Sequence, residues 1–118
     1  EAQKFAKEVL GYQYAGGNAT RTSNVIRADR NANGIEPFSF NMSRNSSIYC
    51  IEAADGIVPS GRSSHAFLRY EDSGIPCGIF NDGESYRSAS ISFPIEVIDS
   101  EKAIEKLIEK IVAYFDKP

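Results

Sequence analysis

The chain has 118 residues and a mass of 13.0 kDa, room for one domain with a single core and not for two. Hydrophobic residues at 42% and charged residues at 25% exclude intrinsic disorder, and no apolar run approaches the roughly 18 residues of a membrane helix. A net charge of -3 supplies no general pull toward nucleic acid or anionic lipid, and two cysteines are too few for a disulfide-rich scaffold.

The first pattern in the chain is helical. Ala2, Phe5, Ala6, Val9 and Leu10 recur at i, i+3, i+4, i+7 and i+8, and Gly11 stands where a helix C-cap glycine belongs. In a parallel α/β sheet a helix connects two strands, so a helix with none before it predicts a strand upstream of this chain. The middle of the chain changes texture. Runs rich in β-branched and aromatic residues predict strands over 24–30, 37–41, 47–52, 64–70, 75–80 and 85–93. Asn33-Gly34 predicts a tight turn, 71–74 another, and Asn81-Asp82-Gly83 a hairpin, so the last three strands read as a meander. Residues 54–64 read as the longest loop. The closing pattern is the clearest: Ile104, Leu107, Ile108, Ile111, Val112 and Phe115 form one face of a helix, capped by Asp99 or Ser100. Its other face, Lys102, Glu105, Lys106, Glu109 and Lys110, reads as a mixed-sign solvated surface.

Chemistry-bearing residues are sparse. His65 is the only histidine; its neighbours Ser63 and Ser64 are too close in sequence to make a meaningful nucleophile–base pair. Cys50 and Cys77 both fall in predicted strands, where they read as buried thiols or, in an exported protein, as a disulfide. Nothing has zinc-ligand spacing. Asp29, Asn31, Asn33 and Gly34 match the first half of a calcium loop, but Phe40 stands where the bidentate Glu should be, so a plain Asn-Gly hairpin is the better reading and no metal is expected. Asn18, Asn41 and Asn45 open glycosylation sequons, which matter only in a eukaryotic secretory host. Arg62, Arg69 and Arg87 read as an anion site only if folding gathers them.

From residue 49 onward short motifs follow one another: Tyr49, Ala54-Asp55-Gly56-Ile57-x-Pro59, Phe67-Leu68-Arg69-Tyr70, Gly78, Tyr86-Arg87 and Phe93-Pro94-Ile95-Glu96, then an amphipathic helix. Their order, with Phe5 to Tyr12 before them, resembles the C-terminal half of a domain in exported proteins of Bacteroidetes labelled xanthan-lyase or golvesin-like. Ser92, Ile95 and 15–17 depart from that pattern. The resemblance implies a three-layer α/β fold, flavodoxin-like and akin to class I glutamine amidotransferases. Its sheet would be mixed and mostly meander, with flanking N- and C-terminal helices. Residues 1–118 would be a single domain or the C-terminal part of a larger one, whose N-terminal remainder would be a partner. Phe93-Pro94-Ile95-Glu96 takes the place of the amidotransferase His-Pro-Glu motif, and Phe93 cannot act as a base. The expectation is therefore a non-catalytic module of an exported, periplasmic or surface protein that binds or helps process polysaccharide. It needs no cofactor, no nucleic acid and no membrane span. Asp55, Arg62, His65, Arg69 and Glu96 are the expected ligand contacts. The rival is a share in a polysaccharide lyase or hydrolase site, with His65 as base, Tyr70 as acid and Arg69 as carboxylate clamp.

Overall fold

A computed structural model describes residues 2–41 and 54–117. The N-terminal segment is helical: α1 (Ala2–Phe5) runs into a π-helical turn, Ala6–Leu10. Gly11 ends it at φ 79°, the left-handed conformation expected of a C-cap glycine. The face predicted to be apolar is not buried; Phe5 is 55% exposed.

Seven strands follow among the described residues: β1 (Tyr12–Gly16), β2 (Asn24–Arg27), β3 (Phe38–Ser39), β4 (Gly56–Pro59), β5 (Ser64–Tyr70), β6 (Pro76–Asp82) and β7 (Arg87–Ile91). β1 and β4 form a two-stranded ribbon, and the others form a sheet in the order β3-β2-β5-β6-β7. Every pairing among the described residues is antiparallel. This corrects the expectation of a three-layer, flavodoxin-like α/β fold. A parallel sheet needs a crossover helix of about a dozen residues between paired strands. Here β5, β6 and β7 pair in succession through short turns, and the long α2 (Glu101–Phe115) comes after the last strand.

Two register irregularities in β5, around Leu68, bend the strand and curl the sheet. β6 lies at the centre of the packing, with Cys77 through Asn81 buried without a break. Phe80 faces α2, while Asn81 on the opposite face donates to the Val9 carbonyl at 3.0 Å. β4 packs over β6 on that second side, so both faces are covered. Residues 56–59, inside the segment read as the longest loop, and 12–16, given no element by the sequence, are the ribbon. Exposed side chains, two glycines and a proline give them no two-residue alternation.

The core is aromatic. Phe67, Phe80 and Tyr114 stack, with centroids 3.8 and 4.0 Å apart and planes within 8° of parallel. Phe40 stacks on Phe93 at 4.9 Å beside Tyr70 and Phe38. α2 begins at Ser100, whose Oγ accepts from the Ala103 amide at 3.2 Å, the N-cap bond its sequence predicts. The strand predicted over 47–52, with Tyr49 and Cys50, lies outside the described residues. Cys77 is a buried thiol, pushed up in pKa by that burial.

Candidate functional site

Asp29 follows β2 and caps a 3-10 turn, Arg30–Ala32: its Oδ1 accepts from the Asn31 amide at 2.9 Å. This is the segment that resembles half a calcium loop. Its oxygens serve the turn itself, and Phe40, at the position of the missing Glu, is 1% exposed in the core. No cluster of metal ligands occurs among the described residues. The capped turn projects Asn31 toward β5. The Asn31 Nδ2 lies 2.8 Å from His65 Nε2 and 3.3 Å from Asp29 Oδ2. An amide nitrogen can only donate, so in the neutral ring Nε2 accepts and the imidazole proton sits on Nδ1. His65 Nε2 and Asp29 Oδ2 are themselves 3.3 Å apart, and the ring stands edge-on to Phe80 and Tyr114.

Beside this cluster the last turns of α2 form the opposite wall of a groove. Arg30, Asn31 and Asn33 line one side, and Lys110, Ala113, Tyr114 and Lys117 the other, around a volume of about 330 Å³. Lys110 lies across the turn that follows the 3-10 segment: a β-carbon added at Gly34 would sit 3.5 Å from its Nζ. Lys117 Nζ stands 5.6 Å from the centre of the Tyr114 ring, a cation–π distance. Arg87 fastens the end of the helix. Its Nε donates to Asp82 at 3.0 Å, while Nη1 donates to the carbonyls of Tyr114 (3.0 Å) and Lys117. Tyr114 closes α2 and its carbonyl also accepts from the Lys117 amide at 3.4 Å, while Lys117 lies just past the helix; a guanidinium there meets the negative end of the helix dipole. The groove thus has three cations, two amides and an aromatic ring, with no carboxylate in its lining. Tyr114 is 4% exposed, and its hydroxyl has no hydrogen-bond partner among the described residues; burial raises its pKa.

A larger hollow of about 780 Å³ lies along α1, the π-helical turn and β1. Its lining sets Lys4 and Lys7 against Glu8, and the helical segment along it has no buried residue. Size alone does not make a site, and the smaller groove has the uniform charge and the braced walls.

The five expected contacts are not gathered. No hydrogen bond or ion pair among the described residues joins any two of Asp55, Arg62, His65, Arg69 and Glu96. Only His65 borders the groove, through Asn31. Arg62 is exposed in the turn before β5, and Glu96 is exposed in a 3-10 turn, Ile95–Val97. Asp55 sits at the far end of β5, where its carbonyl accepts from Tyr70 Oη at 2.7 Å. His65 and Tyr70 are five residues apart on one strand, about 16 Å. Tyr70 is fully buried, and its hydroxyl, pushed up in pKa by burial, faces Asp55 and Ser92. Arg30, Lys110 and Lys117 escaped the sequence reading. The only signal was the lysine row of α2, which reads as solvated surface until the 29–34 turn is known to lie beside it.

No protein-family model, curated protein or solved structure matches the chain. Among the described residues no helix is long and apolar enough to cross a membrane.

Proposed function

We propose that this chain is a non-catalytic binding module for an acidic polysaccharide, held in the groove between the 29–34 turn and the end of α2. One observation carries the reading: Arg30, Lys110 and Lys117 converge on a space whose lining has no carboxylate. Such a space favours an anion and disfavours a cation. With its amide protons turned to Asp29 and His65, Asn31 offers its Oδ1 as an acceptor and Asn33 its Nδ2 as a donor, both suited to hydroxyls, and the edge of an aromatic ring supplies an apolar contact. The resemblance to domains of exported, polysaccharide-associated proteins supports a saccharide as the carrier of the anionic groups, and an exported parent protein as its setting. Asn31 is held by both Asp29 and His65, so the pair acts as a brace for the groove rather than as a catalytic dyad.

The test is calorimetric titration of the full chain with polygalacturonate and with neutral dextran. Polygalacturonate is expected to bind and to weaken with added salt, because exposed charges are screened. The double variant Lys110→Glu, Lys117→Glu should bind at least about tenfold more weakly, the scale of two lost contacts to a charged group. Equal binding of dextran, or an unaffected double variant, removes the groove reading. Release of unsaturated sugar ends from polygalacturonate would remove the non-catalytic one.

A further inference from the structure

α2 is divided lengthwise. Its buried side carries Leu107 and Tyr114, with Ala103, Ile104 and Ile111 packed at the edge of the core. Ile108, Val112 and Phe115 follow at i, i+4 and i+7, one stripe on the helix surface. They are 47%, 50% and 45% exposed. A helix of a folded domain normally turns such a stripe toward the core. This one continues past the core edge into solvent. Three large apolar side chains in one row are a patch, not scattered exposure, and patches of this kind mark interaction surfaces.

The charges beside the stripe are sorted. Glu101, Glu105 and Glu109 run at i, i+4 and i+8 along its open edge, with Asp116 continuing the row. Lys102, Lys106 and Lys110 run one residue on, further round the helix toward the groove. Lys106 reaches Glu109 at 3.5 Å, an exposed pair of little energetic weight. The stripe is therefore bordered by the core on one side and by carboxylates on the other.

We infer that the Ile108–Val112–Phe115 stripe is a docking surface for an amphipathic helix of a protein partner, one whose apolar face is flanked by Lys or Arg. Two helices pack with apolar side chains interdigitated along the seam, and flanking charges select the partner. The acidic row selects a basic flank. It also disfavours a second copy of this chain. In an antiparallel two-fold pair each flank meets its own equivalent, which would set Glu105 and Glu109 against the same acidic row of the other copy. Like charges so placed are unfavourable. The surface is separate from the cationic groove, and the inference stands whether or not the groove binds saccharide.

The experiment uses two designed helical peptides with the same leucine face, one flanked by Lys and the other by Glu. Fluorescence anisotropy with the full chain should show the Lys-flanked peptide binding at least about tenfold more tightly than the Glu-flanked one, the preference that complementary flanks confer. The double variant Ile108→Ser, Val112→Ser should lose that binding while its circular dichroism and Tm stay near wild type, since both side chains are largely outside the core. The triple variant Glu101→Lys, Glu105→Lys, Glu109→Lys should prefer the Glu-flanked peptide. No binding of the Lys-flanked peptide, equal binding of the two peptides, or unchanged binding by the serine variant overturns the inference. So does sedimentation showing a dimer that dissociates in the serine variant, which would make the occupant a second copy.

Discussion

The Tyr114 ring lies flat on Phe80, centroids 4.0 Å apart and planes 8° from parallel. The contact joins the last turn of α2 to β6, and Phe67 extends it into β5, the middle strand of the sheet. It also sets the floor of the groove, because Lys110 and Ala113 take their positions from the same helical turns and Lys117 follows directly after them. The Phe80→Ala variant should lose about 3–5 kcal/mol in denaturant titration, the usual cost of an aromatic deletion in a core.

Tyr114→Phe tests the other end of that ring. The hydroxyl is buried with no partner among the described residues, and an unsatisfied buried polar group costs about 1–3 kcal/mol. Removing it should therefore raise the denaturation midpoint or leave it unchanged. A loss of more than about 1 kcal/mol, a typical net hydrogen-bond contribution, would show that the hydroxyl is satisfied in solution.

Asn31→Ala removes the donor shared by Asp29 and His65. The expected cost is about 1 kcal/mol, typical of a part-buried hydrogen bond. A sharper readout is the imidazole itself. Nitrogen chemical shifts should report the Nδ1-protonated tautomer in the neutral wild-type ring and a mixture in the variant. An identical tautomer in both proteins would mean that Asn31 does not orient the ring.

Asp72 ties the segment before β2 to the turn between β5 and β6. Its Oδ1 accepts from Thr20 Oγ1 at 2.7 Å and its Oδ2 from the Arg21 amide at 2.8 Å. The Arg21 amide first, then the Thr20 hydroxyl, holds the carboxyl below its ordinary pKa. A carboxyl depressed in the folded state adds stability above its unfolded pKa of about 3.9, and the contribution fades as pH falls through the folded value. Asp72→Asn should therefore lower Tm at neutral pH, with the gap to wild type narrowing below about pH 4. A gap independent of pH would assign the effect to something other than the carboxylate.

Gly56 begins β4 where the ribbon passes closest to the turn before β6. A β-carbon there would fall 2.4 Å from Ile75 Cγ2 and 3.1 Å from Ala19 Cβ. Gly56→Ala should cost about 1–3 kcal/mol, the range for overpacking a tight site. Gly74→Ala is the contrast. Its φ is 76° with nothing within 4 Å, so only the backbone conformation is penalised, at about 1 kcal/mol. Equal losses at the two positions would mean that the ribbon shifts to make room.

Elements whose period is local were legible in the residues. α2 announces itself by its apolar spacing and its Ser100 cap, β5 and β6 by runs of apolar and aromatic residues, and β7 by following them across turn residues. The calcium-like spacing at Asp29 marked a turn correctly, because Asx side chains bond their own backbone wherever the turn lies in the fold. Those are short-range interactions, complete within a few residues of the chain.

The rest was decided by contacts between distant segments. Nothing local says that Tyr12 pairs with Pro59, or that β2 inserts between β3 and β5. Pairing direction is a property of two strands together, and a family-like order of short motifs does not contain it. The groove is the same case. Arg30, Lys110 and Lys117 each read as an ordinary surface charge, and they share one space only because the Tyr114–Phe80 stack holds the end of α2 beside the Asp29-capped turn. Charge and periodicity were written in the sequence; which charges became neighbours was settled by the packing of the aromatic core.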